Sequence, residues 1–144
     1  MTAMPERPGD AAPDAAGIPV VLDTNALLLP FTEGTDLEHQ LDEMLGANHW
    51  LIPQSVLFEL DQISRQGNGK VPRAARMARK LAARGKAVPT RQTGDDGFLE
   101  VARGHRAVVV TNDRILQSEA EKSGLRVIVA REHGRLAWRK SGSS

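Results

Sequence analysis

Four acidic residues stand at points of this chain where an α/β sheet would bring carboxylates together. Asp23 and Asp113 each follow a short apolar run, Glu59 lies early in a predicted helix, and Asp95 begins another. Apolar runs of this length are typical of strands buried on both faces in a parallel sheet. The carboxyl ends of parallel strands meet at one edge of the sheet, so we expect the four carboxylates to converge there.

A cluster of carboxylates is unfavourable by itself, because like charges raise each other's pKa and resist ionising together. A cation relieves that repulsion, and ligands that offer only oxygen select hard ions such as Mg²⁺ or Mn²⁺ over zinc. Such a site holds one or two ions, lowers the pKa of a bound water and neutralises charge that develops on a phosphate. The pattern therefore favours phosphodiester hydrolysis without a protein nucleophile.

Each of these motifs also has a simpler explanation when it is taken alone. The triplets 23–25 and 111–113 are both typical of a helix N-cap. Asp95 and Asp96 in the first turn of a helix would stabilise its dipole. Glu59 by itself predicts nothing. Only the four motifs together, in this order, favour a catalytic site over helix capping.

The remaining pattern predicts an α/β fold, with a central parallel sheet and helices on both faces. Strands are expected at 18–23, 50–52, 87–89, 107–110 and 126–129, with helices at 25–31, 37–45, 53 to about 67, 71–84, from 93 onward, and 113–123. We expect Pro30 to interrupt the first helix. Ala74, Met77, Ala78 and Leu81 are expected on the buried face of helix 71–84.

Length and composition predict one domain with a disordered N-terminal leader. Of the 144 residues, 1–17 are rich in Ala, Pro, Gly and Asp and form the predicted leader, 18–130 form the domain, and 131–144 form a basic tail. There is no cysteine, and the four histidines lack a zinc-binding spacing. The chain shows neither a membrane span nor a signal-peptide apolar region, so we expect a cytoplasmic protein without membrane contact.

Charge is strongly polarised although the formal net charge is only +1. Nine Lys or Arg and no acid lie between Arg65 and Arg91, whereas seven acids and no Lys or Arg lie between Glu33 and Asp61. One face of helix 71–84 carries Arg73, Arg76, Lys80 and Arg84 at spacings of three and four. This charge distribution suits a polyanion held over a metal-binding pocket; a solvated helix face is the alternative.

Base recognition by aromatic side chains is not expected from the composition. The chain has three Phe, two Trp and no Tyr, and several of these are expected in the core. Stacking platforms of the RRM or OB-fold kind are therefore not predicted.

The four motifs in series resemble those of PIN-domain proteins. They read Val-Leu-Asp23-Thr24-Asn25-Ala-Leu-Leu, Ile-Pro-Gln-Ser-Val-Leu-Phe-Glu59-Leu, Asp95-Asp96-Gly-Phe-Leu and Val-Val-Val-Thr111-Asn112-Asp113. The resemblance covers almost everything after the leader. It implies a Rossmann-like PIN domain and an Mg²⁺- or Mn²⁺-dependent ribonuclease. The phosphates of single-stranded RNA would then lie along the face of Arg73, Arg76, Lys80 and Arg84, with affinity that falls steeply with salt.

By position, the resemblance also implies site residues. The metal-binding and catalytic acids would be Asp23, Glu59, Asp95 and Asp113, with Asp96 as a further acid of the metal site. Thr24, Asn25, Thr111 and Asn112 would be polar residues that shape the site. Asp95 is preferred over Asp96 because Phe98 supplies the apolar residue that commonly follows the third acid three positions on. Leu116 stands where some PIN nucleases carry a further acid, which puts a second metal in question.

Within the family, the chain resembles small archaeal PIN proteins akin to ribosomal-RNA-processing endonucleases, with the VapC toxins a close second. The partners implied are RNA, a second copy of the chain, and an antitoxin or a ribosome-assembly partner. A non-catalytic PIN scaffold that binds RNA or protein is the main alternative. A haloacid-dehalogenase-type phosphatase would need an Asp where Asn25 stands, and a nucleotide-binding Rossmann enzyme would need a glycine-rich loop.

Overall fold

The first strand, β1 (Ile18–Leu22), lies in the middle of the sheet. A computed structural model describes residues 17–140, and Val20, Val21 and Leu22 are 0% exposed. On one side β1 pairs with β2 (Asn48–Pro53) and on the other with β4 (Val108–Val110), both in parallel. The apolar run that follows the leader therefore forms a strand covered on both faces, as predicted.

Six strands form the sheet, in the order β3-β2-β1-β4-β5-β6. The remaining strands are β3 (Lys86–Val88), β5 (Val127–Ala130) and β6 (Leu136–Trp138). All neighbours pair in parallel except β6, which runs antiparallel to β5. The strand order reverses between β1 and β4, and open α/β sheets place their ligand sites at the carboxyl ends of the strands at such a point.

Helices pack on both faces of this sheet, which confirms the predicted α/β class. They are α1 (Thr24–Thr32), α2 (Leu37–Leu45), α3 (Gln54–Ser64), α4 (Lys70–Ala82), α5 (Gly94–His105) and α6 (Arg114–Lys122), and a single 3₁₀ turn covers Glu132–Gly134. Within residues 17–140, no helix is both long and apolar enough to cross a membrane.

Two local predictions about the helices are wrong. Helix α1 continues past Pro30 to Thr32, because a proline removes a single backbone donor and later bonds, such as that from the Glu33 N–H to the Leu29 carbonyl, still form. Met77 is 48% exposed rather than buried. The buried face of α4 consists of Ala74, Ala75, Ala78 and Ala82, whose small side chains let α1 and α3 approach closely.

The chain ends differ from expectation in part. Residues 1–16, which hold nearly all of the predicted leader, lie outside the described range. Within the predicted basic tail, β6 is an additional strand that the pattern did not indicate. Trp138 of this strand packs against the core, and the Arg126 guanidinium lies 4.7 Å from the centre of its ring.

Candidate active site at the ends of β1 and β4

Asp23 is the buried centre of the candidate site. It follows β1, forms the N-cap of α1 and is only 8% exposed. Its Oδ1 accepts a hydrogen bond from the Ala26 backbone N–H at 2.8 Å. Its Oδ2 accepts one from the hydroxyl of Thr111, which is 1% exposed at the end of β4. The carboxylate is therefore fixed from two neighbouring strands at once.

Thr111 also connects Asp23 to the second acid that ends a strand. Its Oγ1 accepts a hydrogen bond from the backbone N–H of Asp113 at 3.0 Å. Asp113 is the N-cap of α6, and its Oδ1 accepts bonds from the N–H groups of Ile115 at 2.8 Å and Leu116 at 3.1 Å. The capping explanation is therefore correct for both aspartates, and it places them side by side.

Glu59 reaches the site from the second turn of α3. The Thr24 hydroxyl donates a 2.6 Å hydrogen bond to its Oε1, across 35 residues of sequence. Val56 and Leu60 on the neighbouring face of α3 are buried in the core. Packing of that face orients the helix so that Glu59 lies over the start of α1.

Close packing between α5 and α3 brings in Asp95. Gly97 lies in the first turns of α5, and a Cβ added there would stand 2.5 Å from the Gln92 carbonyl oxygen and 2.8 Å from Ser55 Oγ. Only glycine allows this approach. The start of α5, with Asp95 exposed in its first turn, is therefore held against the start of the helix that carries Glu59.

The pKa of Asp23 shows that the acids act on one another. It is raised from the ordinary 3.8 to about 6: burial is the largest cause, the charges of Asp113 and Glu59 add to it, and the hydrogen bonds from Thr111 and Ala26 oppose it. The charged form of a carboxyl group is disfavoured both by loss of water and by nearby negative charge. Asp23 therefore lies within electrostatic reach of both other acids.

Asp95 belongs to the same group. Its pKa is raised first by partial desolvation, then by the charges of Asp113, Glu59 and Asp96. The structure thus brings Asp23, Glu59, Asp95 and Asp113 together at the carboxyl ends of β1 and β4, with Asp96 exposed beside them.

The negative charge of this cluster lacks a basic counterpart. Within residues 17–140, no Lys or Arg forms an ion pair with any of the four acids. Nor does that part of the chain contain three or more His, Asp or Glu side chains already arranged to hold a metal ion. The donors are all oxygens and their charge is uncompensated, so these residues fit a hard divalent cation.

Comparison with known families agrees with this geometry. The sequence profile described as PIN like domain matches residues 20–133, a range that contains all four acids. The chain belongs to this family.

One relative of the PIN-like chain and two similar solved structures extend the comparison. Ribonuclease VapC9 of Archaeoglobus fulgidus is 34% identical over 116 residues, which cover 81% of this chain and 85% of that protein. The PIN domain endonuclease Utp24 is similar in structure, with a TM-score of 0.68, 24% identity, and coverage of 84% of this chain and 90% of that one. VapBC2 from Rickettsia felis, bound to a DNA fragment from its promoter, gives a TM-score of 0.57 at 15% identity, with coverage of 85% and 100%. These two structures show the shared fold.

The other polar residues singled out in the sequence also lie at this edge of the PIN-like sheet. Asn112 holds the end of β4 to the end of β5: its Nδ2 donates to the Ala130 carbonyl at 3.0 Å, and its Oδ1 accepts from the Ala130 N–H at 2.7 Å. Asn25 is exposed and lines a small cleft together with Thr111 and Asn112.

Two of the four residues of the predicted basic face, Arg76 and Arg84, bond other parts of the protein. Arg76 donates to the backbone carbonyls of Ser64 at 2.6 Å and Gly67 at 3.3 Å. Arg84 forms a 2.6 Å ion pair with Glu38 on α2. In the described part of the chain, Arg73 and Lys80 are exposed and form no ion pair.

Three further residues near the site were not identified from the sequence. Gln117 is 7% exposed, and its Nε2 donates to the Thr111 carbonyl at 3.1 Å. The Ser55 hydroxyl, one helical turn before Glu59, is buried without a hydrogen-bond partner among the described residues. Phe58 is 62% exposed directly before Glu59. Gln117 could have been identified as a polar residue on the apolar face of its helix. No feature of the sequence indicates that Phe58 is exposed.

Proposed function

We propose that this protein is a divalent-metal-dependent endoribonuclease that hydrolyses phosphodiester bonds of single-stranded RNA. The observation that carries the proposal is the cluster of four mutually interacting carboxylates at the reversal point of the sheet. The relative named Ribonuclease VapC9, at 34% identity, supports the choice of RNA as substrate. The intact acid set argues against a non-catalytic scaffold.

The roles of the four acids would differ with their burial. Asp23 lies at the floor of the site, where Thr111 and Ala26 hold both carboxylate oxygens in place. Glu59 is positioned by Thr24, while Asp95 and Asp113 are exposed at the rim, where a phosphodiester approaches from solvent. Preorganised groups of this kind need little rearrangement when substrate binds.

Asp23, Glu59, Asp95 and Asp113 would hold Mg²⁺ or Mn²⁺, with Asp96 beside them. A bound ion of this class would supply a Lewis acid for the phosphate and would acidify a water molecule. Thr24, Asn25, Thr111 and Asn112 would shape the site: two through hydrogen bonds to acids, Asn112 through its bonds to β5, and Asn25 at the adjacent cleft.

The phosphates of the RNA strand would lie along the exposed part of α4. Arg73 and Lys80 are the predicted RNA-binding residues that remain exposed without an ion pair in the described chain. Arg76 and Arg84 add positive charge while they also hold the fold. Affinity is expected to fall steeply as salt is raised, because each phosphate contact releases counterions.

Cleavage of labelled single-stranded RNA in Mn²⁺, Mg²⁺ or EDTA tests the proposal. Glu59→Gln and Asp61→Asn form a matched pair, because both lie on α3 and Asp61 contacts Arg79 rather than the acid cluster. We expect cleavage that requires metal, is lost in Glu59→Gln and is kept in Asp61→Asn. RNA binding without metal-dependent cleavage by the wild type would instead support the scaffold.

The VapC9 relative favours a second candidate, a VapC-type toxin that pairs with an antitoxin. Induced expression of the wild type and of Glu59→Gln in a bacterial host separates the two. Growth arrest by the wild type alone supports the toxin. Unaffected growth, together with cleavage at one defined position of ribosomal RNA, supports a processing nuclease.

A further inference from the structure

Phe58 is the exposed aromatic side chain of this molecule. All five aromatic residues lie within the described range, and Phe98 and Trp50 are only 2% and 9% exposed. Phe31 and Trp138 are partly buried against the core. Phe58, in contrast, is 62% exposed. The exposed ring keeps a large apolar face available for contact with a ligand.

Phe58 lies on the solvent side of the acid cluster. Successive residues of an α-helix are about 100° apart, so Phe58 and Leu60 flank Glu59 on opposite sides of α3. Leu60 is 0% exposed and faces the core, which turns Phe58 outward. Ser55, one helical turn before both Phe58 and Glu59, packs against Gly97 near Asp95, so the exposed ring lies next to the side of α3 that carries Glu59.

Exposed apolar surface recurs at another acid of the cluster. Ile115 is 73% exposed, and its backbone N–H donates to Asp113. Positive charge is also close to Phe58, because Arg79 of the basic helix bonds Asp61 one turn further along α3. The acid cluster is thus bordered by apolar side chains, with a basic helix next to one of them.

We propose that Phe58 stacks on a base of the bound single-stranded RNA and thereby sets the position of the strand at the acid cluster. The inference rests on the proposed function. The phosphate at the acid cluster would be held through the bound cation, so the uncharged face of a base is the part of the strand that an apolar ring beside Glu59 can contact. Every base has such a face, and stacking on an aromatic ring is tolerant of sequence. The expected preference is for purines, whose larger rings cover more of the side chain.

The first test compares Phe58→Ala, Phe58→Leu and Phe58→Trp in RNA cleavage. We expect about a tenfold loss of kcat/KM in the alanine variant, mostly through KM, a loss nearly as large in the leucine variant, and recovery in the tryptophan variant. Val71→Ala is the matched control, because Val71 is 52% exposed on the side of α4 away from Arg73 and Lys80 and should leave the rate unchanged. Full recovery by leucine would show an apolar contact rather than stacking and would overturn the proposal.

Oligonucleotides with one abasic position identify the stacked base. At the stacked position, removal of the base should lower the wild-type rate and leave Phe58→Ala unchanged, so that the two proteins become equal. If Phe58→Ala instead cleaves every oligonucleotide more slowly than wild type by the same factor, the ring only supports the fold. A change of molar mass on light scattering in Phe58→Ala would assign the ring to an interface between protein chains, which also overturns the proposal.

A binding experiment separates this inference from the nuclease itself. RNA containing 2-aminopurine is added in EDTA to wild type, Phe58→Ala and Phe58→Trp, and its fluorescence is followed. Quenching by wild type and Phe58→Trp, but not by Phe58→Ala, supports stacking even if no cleavage is ever seen. Cleavage without any difference in quenching rejects the stacking role and leaves the proposed nuclease intact.

Discussion

Replacement of Asp23 by asparagine should stabilise the metal-free protein while it abolishes cleavage. The folded state raises the pKa of Asp23 from 3.8 to about 6. Each pKa unit corresponds to 1.36 kcal/mol, so ionised Asp23 lowers the free energy of unfolding by about 3 kcal/mol at pH 7. Asparagine has nearly the same shape but no charge, and it removes this penalty.

The replacement also weakens one contact. Asparagine can still accept the Ala26 N–H through Oδ1, but the Thr111 hydroxyl loses the carboxylate oxygen to which it donates. Loss of such a hydrogen bond costs about 1 kcal/mol. A net gain of about 2 kcal/mol remains, which corresponds to about 8 °C in Tm for a chain of this size.

The sign of the effect fixes its pH dependence. A carboxyl group with a raised folded-state pKa binds protons more tightly in the folded protein, so the wild type loses stability as pH rises from about 4 to about 6. Asp23→Asn is insensitive to this titration. The advantage of the variant should therefore be full at pH 7 and should disappear near pH 4, where Asp23 of the folded wild type is protonated.

Urea unfolding in EDTA at pH 7 and pH 4 measures the difference. Asp36→Asn is the matched control: Asp36 is also a helix N-cap, accepting the His39 N–H at 3.0 Å, but it is exposed. We expect that control to change stability by less than about 0.5 kcal/mol at either pH. A variant less stable than wild type at pH 7, or a difference that is the same at both pH values, would refute the reasoning.

Three further variants test other contacts. Gly97→Ala should lower the free energy of unfolding by about 2 kcal/mol in urea, because its Cβ would stand 2.5 Å from the Gln92 carbonyl oxygen; unchanged stability would contradict the close packing of α5. Asn112→Ala should cost about 1–2 kcal/mol, as it removes both hydrogen bonds to the end of β5. Hydrogen exchange of the backbone amides should rise first at the end of β5. A lower free energy of unfolding without faster exchange at that position would argue against the contact. Arg76→Ala should lower stability, whereas Lys80→Ala should leave it unchanged and reduce the salt dependence of RNA binding; the reverse result would reassign the two side chains.

The elements and the site edge could be predicted because their signals are local. An apolar run followed by an acid marks both the end of a buried strand and the N-cap of the next helix, and Asp23 and Asp113 fulfil both roles. The contact between Thr24 and Glu59 could not be predicted, because it joins residues far apart in sequence through the packing of α3.

Other structural features were not predicted, because the sequence pattern was compatible with more than one arrangement. In α4 the four alanines lie on one side, with Met77 and Leu81 at its border, so helical spacing alone did not separate the buried Ala75 from the exposed Met77. Strand β6 has only three residues, too few for alternation to show. The hydrogen bond of Arg76 to the Ser64 carbonyl could not be predicted, because the two groups meet only once α3 and α4 are packed.

Both open edges of the sheet end in strands of only three residues, β3 on one side and β6 on the other. Unpaired edge strands invite further chains to add by backbone hydrogen bonding, and short strands with charged residues limit this. Lys86 is exposed in β3, and the Arg126 side chain covers the ring of Trp138 in β6. Within residues 17–140, the two edges therefore disfavour extension of the sheet into a larger sheet or a fibril.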